Sequence, residues 1–134
     1  MNKHLLQPTH WARPKGYANG VVATGRQVFV AGMIGWDAQG RFHSDDLVAQ
    51  VRQALQNVLE VLTEAGATPA HITRMTWYLV DRREYLARAR EIGAVYREVI
   101  GSYTVAMSAL QVAALLEERA RVEIEVTAVV PDAG

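Results

Sequence analysis

The chain has 134 residues, half of them apolar and about a fifth charged, with fourteen basic residues against fourteen acidic ones. That length and composition describe one ordinary domain with a real core. The balanced charge supplies no long-range field that would draw in nucleic acid or an anionic membrane. Cysteine is absent, which excludes disulfides, thiolate nucleophiles and zinc–thiolate sites.

His4, His10, His43 and His71 stand singly, with no ligand spacing among them, so no metal site is expected. The first ten residues lack the apolar run of a signal peptide, and no stretch is apolar for long enough to span a bilayer. A cytoplasmic protein is the default expectation.

Residues 1–14 carry two prolines and no periodicity and read as a lead-in, with a single domain expected over 15–134. Apolar runs at 17–24 and 27–34 flank Gly25-Arg26, which predicts a hairpin. Asp37-Ala38-Gln39-Gly40 predicts a turn. Ser44, followed by Asp45 and Asp46, predicts a helix start. Leu47, Val51, Leu55, Val58 and Leu62 then trace one helical stripe, and Gly66 supplies the end.

Residues 72–80 suit a strand. Asp81-Arg82-Arg83 leads into a second helix, with Tyr85, Ala89, Ile92, Tyr96 and Val99 on one face and Gly101 as its stop. The last third, residues 105–130, holds two strand-like runs joined by the charged stretch Glu117-Glu118-Arg119-Ala120-Arg121, a solvated loop by composition. In the final run Val122, Ile124, Val126, Ala128 and Val130 alternate with Glu123, Glu125 and Thr127, so one face is buried and the other polar. The order hairpin, helix, strand, helix, two strands predicts an α+β sandwich, a mixed sheet with two helices packed on one face. Val22, Phe29, Val30, Trp77, Leu79, Leu110 and Val112 offer more apolar strand surface than two helices can cover, which predicts a homo-oligomer.

Gly16-Tyr17, V-F-V-A-G-M-I, A-Q-V-R-Q-A-L-Q-N-V, T-R-M-T-W-Y-L-V-D and V-E-I-E-V-T-A-V, in this order over residues 15–130, resemble the RidA/YjgF family. Its members are reactive-intermediate (enamine/imine) deaminases, older L-PSP endoribonucleases. The resemblance implies a chorismate-mutase-like fold and a homotrimer with small-molecule clefts at the subunit interfaces. It implies no cofactor, and no Gly-rich phosphate loop is present. The family's carboxylate-gripping arginine, set in Pro-Ala-Arg-Ser, corresponds to Met107 in Val105-Ala106-Met107-Ser108. A thioether offers neither charge nor donor. The family's Ser-Gly-Gln is Ala31-Gly32-Met33, leaving the Gly32 amide as the anion donor, and a family asparagine on the second helix corresponds to Gly93.

By the resemblance, Glu123 is a general base or an orienter of water at a C=N carbon. By pattern alone it is a solvent-facing strand glutamate. Tyr17 either stacks on a planar substrate or fills a subunit contact. Gly32 is a close-approach donor or a strand-end kink, and Met107 is a cleft wall or a core methionine. Trp36 and Trp77 read as packing, and Arg26 or Arg121 of a neighbouring chain is available to restore the lost charge. Three functions follow: a hydrolase of small imines or enamines whose specificity Met107 has altered, a non-catalytic ligand-binding trimer, and, weakest, a ribonuclease.

Overall fold

The computed structural model describes residues 2–132. In chain order the elements are β1 (Lys3–Leu6), β2 (Gly20–Ala23), β3 (Arg26–Ile34), α1 (Leu47–Glu64), a 3-10 turn (Pro69–His71), β4 (Ile72–Leu79), α2 (Arg82–Ala87), α3 (Ala89–Val99), β5 (Ala106–Gln111) and β6 (Val122–Val130). The four-stranded sheet runs β3-β6-β4-β5, antiparallel except for the parallel β4–β5 pair. α1 and α3 pack together, with α1 lying against β3 and β6. This is the expected α+β sandwich.

The first helix follows its sequence closely. Leu47, Val51, Leu55, Val58 and Leu62 are all buried on the sheet. At its end the Gly66 amide donates to the Thr63 carbonyl and the Ala67 amide to the Leu62 carbonyl, 3.0 Å each. Gly66 sits at φ +69, so these bonds close the helix through a left-handed residue that a Cβ would strain. The cap at the start is Asp46 rather than Ser44: its carboxylate accepts from the Ala49 amide at 3.0 Å, while the Ser44 hydroxyl accepts from the Asp46 amide. Buried Gln50 ties this helix to the last loop, donating to the Ser44 and Arg119 carbonyls and accepting from the Arg121 amide.

Three expectations change. The hairpin of residues 17–24 with 27–34 does not form: β2 pairs with β1, and β3 pairs with β6. A ladder of seven paired positions along β6 satisfies more of β3 than the four-residue β2 could. The lead-in therefore contains a strand, anchored by the buried Lys3, whose ammonium donates to the carbonyls of Ile72 and Thr104 and to the Thr104 hydroxyl at 3.0–3.2 Å. Burial holds its pKa below the usual lysine value. The second helix is two, α2 and α3, because Arg88 leaves helical geometry at φ −106, ψ 15.

The two faces of the sheet also divide differently from the expectation. Val30, Trp77 and Leu79 point to the helices and are buried. They share a face with Met75, because successive strand side chains alternate. The open face instead carries Arg74, Thr76, Tyr78, Glu123, Glu125 and Thr127, with Phe29 72% and Leu110 42% exposed near the two free edges.

Candidate functional site

The parallel register of β4 and β5 sets Met107 beside Met75 and Ala109 beside Trp77. Met107 therefore faces the helices, half-buried against the core. There α3 stands off from β5, leaving a cavity of about 580 Å³ that Met107 shares with Tyr17. Four more aromatic residues, Trp77, Tyr85, Tyr96 and Tyr103, line it. Tyr103 stacks on Tyr96 with centroids 5.0 Å apart, and Trp77 meets Tyr85 edge-on at 6.1 Å, so flat surfaces are fixed in place before any ligand arrives.

The charges of this cavity are of one sign. Lys15 and Arg97 line it, and no carboxylate does. The Arg97 guanidinium donates to the Tyr103 hydroxyl at 2.8 Å. It sits where Gly93 has no side chain: a Cβ there would lie 3.3 Å from Arg97 Nη1 and 3.4 Å from Tyr103 Oη. Burial, and then the neighbouring Tyr103, push the Tyr96 hydroxyl up to about 12, which keeps it neutral. Burial likewise raises Tyr85. Among the described residues the buried Trp77 Nε1 and Tyr96 Oη have no hydrogen-bond partner, and both residues line the cavity. A buried donor left unmade costs about 1–3 kcal/mol.

Gly32 and Glu123 lie elsewhere. An irregularity in the β3–β6 register between Val30 and Met33 brings Gly32 under the Glu123 side chain, and a Cβ on Gly32 would fall 2.3 Å from Glu123 Oε2. This pair is on the open face, where Tyr78, opposite Glu123 in the register, donates to Glu125 at 3.1 Å. That bond, burial and the two glutamates raise the Tyr78 pKa. Within one chain the four anticipated positions thus form two pairs on opposite faces, Tyr17 with Met107 and Gly32 with Glu123. Within its own chain Arg121 bonds Glu84 and the Asp45 carbonyl.

Arg97, Lys15, Tyr85, Tyr96 and Tyr103 went unrecognised as cavity residues in the sequence. One local signal existed: Arg97 follows Gly93 by four residues, one turn along the same helix face. Among the described residues no group of His, Asp and Glu could hold a metal ion, and no helix is long and apolar enough to cross a membrane.

The family model described as endoribonuclease L-PSP matches residues 10–130. A goat 2-iminobutanoate/2-iminopropanoate deaminase is 34% identical over 81% of this chain and 76% of its own length. A Yersinia pestis protein, YyfB, of the conserved Rid family and itself of unknown function, superposes with a TM-score of 0.86 at 34% identity, over 97% of this chain and 100% of that one. Escherichia coli TdcF, solved with bound serine, superposes at 0.69 and 27% identity over 95% of this chain and 98% of its own.

Proposed function

The chain belongs to the RidA/YjgF (endoribonuclease L-PSP) family, and from that premise we propose that it hydrolyses a small imine or enamine with a specificity its relatives do not share. Water adds to the C=N carbon, the resulting amino alcohol loses its nitrogen, and a carbonyl compound and ammonia or an amine leave. The observation that carries the reading is the Tyr17–Met107 cavity, which opens beside β5, one edge of the sheet. Met107 makes that wall apolar, where a guanidinium would grip a carboxylate. The deaminase name of relatives at 34% identity supports the same class of chemistry.

The general base of this reading comes from a second subunit. β3 and β5 are the two edges of the sheet, and apart from the Ala18–Ala106 bridge at the start of β5 each offers, among the described residues, a row of backbone groups open to a further strand, with an exposed apolar side chain, Phe29 and Leu110 respectively. Edges of this kind pair with another chain. A homotrimer in which the β5 edge of one subunit meets the β3 edge of the next sets the neighbour's Gly32–Glu123 pair alongside β5, from where Glu123 has to reach round the strand edge to enter the cavity. There Glu123 takes the proton of the attacking water, and the Gly32 amide donates to the ligand.

The test is release of carbonyl product from a panel of imines, generated in solution, by wild type and Glu123→Ala. General-base loss is expected to cost about a hundredfold or more in rate. Turnover indifferent to the substitution sinks the role of Glu123, and no turnover of any imine sinks the reading. A ligand-binding trimer without chemistry is the second reading. It is favoured by the position of Glu123 on the face opposite the cavity, and thermal stabilisation by a metabolite without turnover would identify it.

A further inference from the structure

Met107 takes a cation away from the strand wall of the cavity, yet the cavity is not neutral. Lys15 and Arg97 remain with no carboxylate among the lining residues. Arg52, Arg88, Arg119 and Arg121 are each committed to an acidic side chain. Arg97 is in no ion pair among the described residues, and its one side-chain hydrogen-bond partner there is the Tyr103 hydroxyl. A guanidinium has five donors, and the side chain is exposed, so most of its capacity is open to solvent or to a ligand.

Its position follows from Gly93. Any side chain at 93 would crowd Arg97 Nη1 and Tyr103 Oη, so glycine there is what lets the guanidinium lie along the cavity wall. The remaining walls are ring faces held by the Tyr96–Tyr103 stack.

The geometry points to Arg97 as the anion anchor of this cavity, with Lys15 at its mouth, and to a carboxylate with a flat, conjugated or aryl body as the ligand class. The anchor lies on α3 rather than on β5, so the carboxylate approaches from the helix side and the planar body lies among Tyr17, Tyr103 and Met107. This rests on the cavity being the substrate site. In that case the substrate is an aryl-bearing imino acid whose carboxylate is held by a helix residue.

Binding of phenylacetate and of its neutral isostere phenylacetamide tests the assignment by calorimetry, without turnover. A charge-assisted hydrogen bond corresponds to roughly a tenfold or greater change in Kd. Wild type is expected to prefer phenylacetate by about tenfold or more. Arg97→Gln is expected to bring the two within about twofold, and Arg97→Lys to retain part of the preference, its melting curve showing an intact fold. Equal binding of the two compounds by wild type, no binding of either at millimolar concentration, or an Arg97→Gln protein with undiminished preference overturns the assignment. Carboxylate preference without hydrolysis of any imine leaves it standing and removes the catalytic reading instead. Hydrolysis without the preference does the reverse.

Discussion

Gly93→Ala separates stability from ligand binding. Gly93 lies inside α3 and has no left-handed φ, so alanine fits the backbone there and should gain about 0.5–1 kcal/mol from helix propensity. Against this, the new Cβ would lie 3.3 Å from Arg97 Nη1, which must yield by a few tenths of an ångström, and 3.4 Å from Tyr103 Oη, at the short end of ordinary van der Waals contact. The Arg97 terminus is the end of a long, exposed side chain and yields cheaply. Tyr103 is held by its stack on Tyr96 and yields less. The helix term wins by about 0.5 kcal/mol, which for a chain of this size raises Tm by about 2 °C. Phenylacetate affinity should fall at the same time, because Arg97 is displaced from the wall. Differential scanning calorimetry at fixed protein concentration, with a parallel titration, measures both. A melting temperature lowered by several degrees would mean that the Arg97–Tyr103 pair is rigid and would refute the argument.

Other substitutions probe the scaffold. Gln50→Ala should cost about 2–3 kcal/mol in urea unfolding, since it strands the Ser44 and Arg119 carbonyls and the Arg121 amide in a part-buried site; a loss under 1 kcal/mol would show that water replaces the amide freely. Asp46→Ala should cost about 1 kcal/mol at neutral pH through loss of the helix cap. Arg88, and then the Ala49 amide, hold the Asp46 carboxyl below its usual value. Its stabilisation is therefore complete above the ordinary carboxylate pKa and disappears as pH falls through the lower folded value, so wild type and variant should converge in strong acid. A gap that stays constant across that range would contradict the assignment. Phe29→Asp places a charge in the proposed subunit contact and should turn a particle of three times 14.8 kDa into a monomer by light scattering. An unchanged mass would move the contact elsewhere.

By itself, the sequence was sufficient for features that depend on neighbouring residues. The stripe from Leu47 to Leu62, its Gly66 end, the turn at Asp37 and the alternation of β6 were all legible, because helix and strand periodicity are written in local spacing. The family was legible too, from runs that keep their order along the chain. The partners of β2 and β3 were not, because strand pairing joins residues far apart in sequence, as in Arg26 with Val130, and only the competition among whole ladders decides it. The same holds for the site. Whether Met107 and Glu123 share a face depends on the register that sets Met107 beside Met75 and Glu123 beside Tyr78. A shift of one residue would exchange the faces. The cation that enters the cavity opposite Met107 comes from α3, and only the packing of that helix over β5 brings Arg97 there.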